Sequence, residues 1–500
     1  MKPSKDFSTR LAAAKQWRSS VEPRIKEIYS FCAPGRERDF DKGSKSQAED
    51  VTTYHSLGEE VCTDLAGDLV TYFTPAEVRW CSYAVIAEVA EEDAEAVLDL
   101  VQEREDKLFE LIQASNYNDI APQWGFEAAS HGTPALWVVK GHINQPIYIE
   151  AVPAAELLLT PGHLGILDRF RKCFVAADTL EALFADYEVN LSDARIKRAM
   201  EKPGSIVEVI WGFWLDWSDP ARPMWTMEIT VEGERVTKEK VQIGDYAGSC
   251  PLLVGRFNPQ PRKPWGRGAG WKALPDMRVL DKLDEVLLTA MDDALQTTII
   301  YPDDGFLDLE GGIVPGNAYA ARSNFNRNSI YEFPKAANLD YGFFSEERLE
   351  QRIRTAFYQD GPRQRGETPP TAAQWLDERR RVQQRLGKPS APLWTEMIYP
   401  FVQRIEYLAV ENGDMAEAIT HNGRSISVQP ISPLQKAQNQ DQVMVARSNL
   451  DLGVSILGPE GMASVVDPIA TMKNIVKASG DNLTSIRDEQ VMNEAAPPPQ

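Results

Sequence analysis

Leu11, Ala14, Trp17, Val21, Ile25 and Ile28 fall at three- and four-residue steps, the spacing of one helix face, and predict a helix over 7–32 that runs across Pro23. The same period returns over 57–72 (Leu57, Val61, Leu65, Leu69), closed by Thr74-Pro75, and over 91–114, whose outer face is strongly acidic. Beyond Ala135 the period changes to two, and 136–139, 147–149, 207–211, 225–231 and 252–257 read as strands. The first half of the chain is therefore an α+β body.

Pro259, Pro261 and Pro264, then Gly266, Gly268 and Gly270, break both periods and predict an irregular linker. Past it, Met277, Leu280, Leu283, Leu287, Met291 and Leu295 predict a helix over 276–296, ~30 Å long. Turn residues then dominate 298–343, with Pro302-Asp303-Asp304-Gly305, Glu310-Gly311-Gly312 and Pro315-Gly316-Asn317, before a second helix from Glu346 to about Tyr358. Helix, small β insert and helix make a finger-shaped excursion. The run 359–370 holds two glycines and three prolines and reads as a loop. A helix from Thr371, its N-cap, is expected to end at Gly387. A helix over 393–410, a strand over 426–431, a mostly helical stretch 433–490 and a frayed tail complete the chain.

Charge narrows the function. Against 53 Lys and Arg stand 74 Asp and Glu, a formal charge of −21 over 500 residues. That excludes a protein gripping nucleic acid over most of its surface, but not one holding it loosely in a local channel. The sign reverses over 346–385, where nine arginines face seven acidic residues. Cys32, Cys62, Cys81, Cys173 and Cys250 form no C-x-x-C pair and read as reduced core residues. With a start, Met1-Lys2-Pro3-Ser4, that lacks an apolar signal core, they point to folding in a reducing cytoplasm. No stretch approaches the ~18 apolar residues of a membrane helix, so no membrane partner is expected.

The chain carries little recognisable catalytic chemistry. The glycines at 266, 268 and 270 do not meet the phosphate-loop pattern. His55, His131, His142, His163 and His421 form no H-E-x-x-H, no Cys/His set has zinc spacing, and no G-x-S-x-G occurs. Acidic pairs such as Asp292-Asp293 and Asp303-Asp304 read as solvated faces or turns. The expectation is a protein that is not an enzyme and takes no cofactor or metal. Two features stay in view: the Arg363/Arg365 loop, whose plain reading is an exposed connection, and the proline and aromatic run 258–268, whose plain reading is a rigid linker.

The order of elements resembles a portal protein, the head-tail connector of short-tailed double-stranded DNA bacteriophages. The residues that carry the resemblance are Phe73-Thr74-Pro75 with Arg79-Trp80, Ala129-Ser130-His131-Gly132-Thr133-Pro134-Ala135-Leu136 and Gly266-Arg267-Gly268-Ala269-Gly270 leading to Leu274-Pro275-Asp276. Pro302 to Gly316, Pro370-Thr371-Ala372-Ala373-Gln374 and Arg385-Leu386-Gly387 complete the set. It spans about 7–470 and rests on collinearity, since no single motif is diagnostic.

The resemblance implies a ring, commonly a dodecamer, at one capsid vertex of the virion, made in the host bacterial cytoplasm. Its architecture would be an α+β wing (1–271), stem helix 1 (272–297), a small α/β clip (298–343) and stem helix 2 (344–358). A channel loop (359–370), a wing helix and return segment (371–432) and a C-terminal helical crown with its tail (433–500) would follow. Implied partners are double-stranded DNA in the channel, the terminase large subunit, tail adaptor proteins, and the major capsid and scaffolding proteins. Implied roles fall on Gly361, Arg363, Gln364 and Arg365 for DNA, and on Asp303, Asp304, Arg322 and Arg327 for motor and tail docking. Met277, Leu280, Leu283, Leu287, Met291 and Leu295 would pack between subunits. The short C-terminal portion departs from the family picture. Competing readings are an acidic α+β hydrolase with an inserted β subdomain and a ring-shaped tail adaptor.

Overall fold

The computed structural model describes residues 2–40, 53–76, 79–85, 94–295, 299–300, 331–332, 339–359, 385–431 and 444–456, apart from single positions within them (143, 163, 164, 203, 246, 418, 422, 423 and 427), with a few isolated residues further on. Its first half runs α1 (Lys5–Cys32), α2 (Leu57–Phe73), β1 (Ser82–Val85), α3 (Ala94–Ala114), α4 (Tyr117–Ser130), β2 (Ala135–His142) and β3 (Gln145–Ala151). Then come β4 (Leu157–Gly162), β5 (Gly165–Ala176), α5 (Leu180–Leu183), α6 (Ala194–Met200), β6 (Ile206–Asp216), β7 (Met224–Val231), β8 (Glu234–Arg235), β9 (Val241–Gly244) and β10 (Leu252–Val254). The fold is mixed α+β. α1 starts where Ser4 Oγ accepts the Phe7 amide at 3.1 Å, an ordinary N-cap.

An antiparallel sheet orders β4-β5-β6-β7-β8, with β9 also on β7, and β10-β2-β3 forms a second. Strand alternation sorts β6 between two cores. Val207, Val209, Trp211 and Phe213 face one, which Ile25 and Tyr29 of α1 join. Ile210 and Trp214 face the other, closed by Phe7 and Ala14 from the start of the same helix. The largest core gathers α2, α3, α4 and β2 with the later helices, and Tyr117 stacks on Phe401 at 4.7 Å.

The second half is built on α7 (Ala269–Leu295), α8 (Leu339–Ala356) and α9 (Tyr399–Asn412). α7 begins before Pro275 and is 27 residues long, ~40 Å. α8 starts at Leu339, ahead of the expected 344–346, because the helix runs through Gly342 despite the ~1 kcal/mol that glycine costs there. The Arg352–Asp276 ion pair at 2.7 Å, with the His55 contacts to Asp284 and Glu350, sets the two helices antiparallel. Just past α7 and before α8, β11 (Ile299–Ile300) pairs antiparallel with β12 (Tyr331–Glu332). The expected helix–insert–helix excursion is thus a hairpin at its described root.

Gly387, expected to end a helix, lies inside a helical run over 385–393. Buried Leu386 holds that turn in the core and the Ser390 hydroxyl donates back to Leu386 O at 2.8 Å, so packing overrides the glycine. Small antiparallel pairs close the described fold: β13 (Ile419–His421) with β14 (Arg424–Ile426), and β15 (Val428–Ile431) with β1. No helix among the described residues is long and apolar enough to cross a membrane.

Candidate functional site

The foot of the α7–α8 hairpin is where the chain's unusual residues converge. Two segments that read as linkers cross there. Gly132, at φ +90°, and Gly266 lie so close that a Cβ on Gly266 would stand 2.0 Å from Gly132 O. The Gly266 amide donates to Thr133 Oγ1 and the Trp271 indole to His131 O, each at 2.9 Å. Trp265 is buried beside them, so the end of the run, 264–268, is a packed crossing, while 258–263 stays at the surface.

Beneath the crossing lies Glu127, fully enclosed. The Arg36 guanidinium donates to its Oε1 at 2.6 Å, and the Tyr29 hydroxyl and His131 Nε2 meet Oε2, each at 2.5 Å. Burial alone would raise this carboxyl, but His131, Arg36 and Tyr29 outweigh it and hold it below the usual range. Burial, and then the Glu127 charge, push the Tyr29 phenol well up. A buried Glu–His–Tyr set invites a catalytic reading. Here it ties α1 and the turn after it to α4.

Outside the core, α7, α8 and the approach to α2 bring acids together. His55 Nε2 lies 3.4 Å from Glu350 Oε1 and 3.8 Å from Asp284 Oδ2, with Glu346 beside them. Partial burial first, and then neighbouring carboxylates, raise the Asp284 and Glu346 carboxyls. A separate cleft of about 370 Å³ is lined by Arg79, Trp80, Asp106, Phe109 and Gln113 among others, where Arg79 pairs with Asp106. It offers no set of buried carboxylates such as a hydrolase would need.

The sequence-expected residues divide sharply. Met277, Leu280 and Leu287 are buried in the chain's own core, and Leu283 packs on its edge, because α8 (Leu349, Ile353) and α2 cover that stripe within one subunit. They are not a bare face awaiting a neighbour. Of the expected residues Met291 is exposed, and among the described side chains of α7 Val279, Val286 and Leu288 are exposed with it, all four between 43 and 55% open. At ~100° per residue, Val279 and Val286 flank the buried stripe on one side and Leu288 on the other. From Leu288 to Asp292 no side chain is buried. Leu295 is the last residue of the helix. Gly361, Arg363, Gln364, Arg365, Asp303, Asp304, Arg322 and Arg327 lie outside the described residues. The two α7 flanks and the His55 cluster were missed, although a helical wheel of 279–288 would have displayed the flanks.

The class the fold defines is an acidic α+β body carrying a long antiparallel helix hairpin with exposed apolar side chains on α7. Comparison gives that class its family. The profile described as bacteriophage head to tail connecting protein matches residues 4–483, and the chain belongs to that family. It is a structural protein of the virion, placed at the head-tail junction, and not an enzyme. No curated protein matches it. Among solved structures, a chain of the neck of an empty gene transfer agent particle computed with sixfold symmetry aligns at 11% identity and TM-score 0.35, covering 84% of this chain and 90% of that one. Chains from a native gene transfer agent virion (93% and 98% covered) and from a native neck computed with twelvefold symmetry (84% and 89%) align at 11% identity and TM-score 0.36.

Proposed function

We propose that this connector protein is the portal subunit: a closed ring at one capsid vertex whose channel passes double-stranded DNA during packaging and ejection. The observation that carries the reading is the α7–α8 hairpin. A subunit in a ring has two neighbours and needs two different complementary surfaces, since a head-to-tail contact is heterologous. Val279/Val286 on one flank and Leu288 on the other supply such a pair, and unburied valines and leucines on a long helix are otherwise a liability.

On this reading the hairpin is the stem, 298–343 the clip that receives the terminase large subunit and tail adaptors, and 433–500 the crown. The α+β body is the wing, meeting the major capsid and scaffolding proteins. Twelve copies would suit the family. Charge supports the conduit: at −21 per subunit the ring repels a polyanion rather than capturing it, while Arg363 and Arg365 on the 359–370 loop touch phosphates transiently. Electron microscopy of full-length protein, alone and coexpressed with scaffolding and capsid proteins, tests this. Rings with a central hole are expected. Monomers under both conditions would refute it, and rings that neither bind terminase nor enter proheads would point to a tail adaptor.

A further inference from the structure

We propose that His55, Asp284, Glu346 and Glu350 form a divalent-cation site that pins the middle of the α7–α8 hairpin to the start of α2. Three elements far apart in the chain deliver these groups, and the donor atoms of His55, Glu346 and Glu350 all lie within 4.8 Å of one another. The spacing has room for an ion. His55 Nε2 stands 3.4 and 3.8 Å from its two carboxylate oxygens, beyond the 2.7–3.2 Å of a hydrogen bond. Metal bonds of ~2.0–2.2 Å place neighbouring donors of one tetrahedral ion ~3.3–3.6 Å apart. A small swing of the Glu346 carboxylate closes the remainder.

Charge gives a second, independent reason. Among the described residues, four nearby cations pair elsewhere: Arg278 with Glu27, Lys282 with Glu285, Arg352 with Asp276 and Arg354 with Glu60. Asp281 is taken by the Tyr54 amide. Among the described residues, the His55 imidazole is the basic group found beside these three carboxylates, at a half-buried seam where the Asp284 side chain is only 12% exposed. A divalent ion would neutralise that surplus. One nitrogen with two or three carboxylate oxygens suits Mn²⁺ or Zn²⁺ better than Mg²⁺ or Ca²⁺. The Leu57 amide donates to His55 Nδ1 at 2.9 Å, which leaves the ring proton on Nε2 of the ion-free protein. Coordination through Nε2 requires the tautomer with the proton on Nδ1, so the imidazole must swing off the Leu57 N–H and leave that open donor of the first turn of α2 to water.

Binding is counted per chain and does not depend on the ring reading. Full-length protein stripped with EDTA is titrated with MnCl2 by electron paramagnetic resonance, with ZnCl2 as competitor. One saturable Mn²⁺ per chain, displaced by Zn²⁺ and raising the Tm, is expected. Glu346→Gln with Glu350→Gln, which keeps side-chain shape, should weaken it at least about tenfold with the circular dichroism spectrum unchanged, and His55→Ala should weaken Zn²⁺ by a similar factor. Absence of saturable binding to folded protein, or binding that the double variant leaves unchanged, overturns the site.

Discussion

Glu127 is buried, and its worth depends on its charge. Its carboxyl is held below the ordinary value by His131, Arg36 and Tyr29, against burial. The unfolded chain therefore binds a proton at a higher pH than the folded one, so this contribution is complete above the unfolded carboxyl pKa of ~4.3 and is lost as pH falls through the folded value. Glu127→Gln should cost about 2–3 kcal/mol at pH 7 in denaturant titrations and flatten the stability loss below pH ~4.3. An unchanged acid limb would contradict the charge assignment. Gly266 is a steric case at the same crossing: Gly266→Ala must push Gly132 aside and should cost about 3 kcal/mol, read as a fall in Tm, whereas Ala at exposed Gly67 should cost nothing comparable. Neither role was legible in advance. A glycine in a proline-rich run announces irregularity, not that another glycine's carbonyl passes 2.0 Å from where its Cβ would be.

Elements were legible where one period held. α1, α2 and α3 emerged within a few residues of their ends because each buries one consistent face, and the β2, β3, β6 and β7 runs because β-branched and aromatic residues crowd them, although β6 continues to Asp216, five residues past the expected 211. β4 and β5 did not. Leu157, Leu158 and Leu159 are buried on both sides, so no alternation shows, and β5 carries Asp168 and Arg171 into the interior, paired with Arg10 and with Glu150 and Glu156. Internal ion pairs make a core strand look polar. On α7 the period gave the helix but could not say whether its stripe met α8 or another subunit. Burial divides the two roles, and mutation should too. Ile353→Ala, at the enclosed α7–α8 seam, should cost about 2–5 kcal/mol of chain stability, measured by denaturant unfolding. Val286→Lys with Leu288→Lys should leave that stability within about 0.5 kcal/mol and abolish assembly, measured by sedimentation. Equal losses of stability would place the flanks inside the subunit instead.

At the scale of the whole molecule, composition excluded more than it identified. An acidic chain with no nucleophile elbow, zinc spacing or phosphate loop is a poor enzyme candidate, and its family is that of head-tail connecting proteins. Arg363→Ala with Arg365→Ala should keep rings intact yet reduce stable DNA retention in packaging assays, and normal genome retention would refute the loop's role. The central claim, that subunits close a ring flank to flank along α7, is tested most directly by crosslinking. All five native cysteines are buried, so Val286→Cys and Leu288→Cys add the accessible thiols. A short bismaleimide on the double variant should give a ladder of covalent oligomers ending at the ring, while each single variant stays uncrosslinked. A ladder that fails to form, or a single variant that couples to itself as a dimer, would contradict the account.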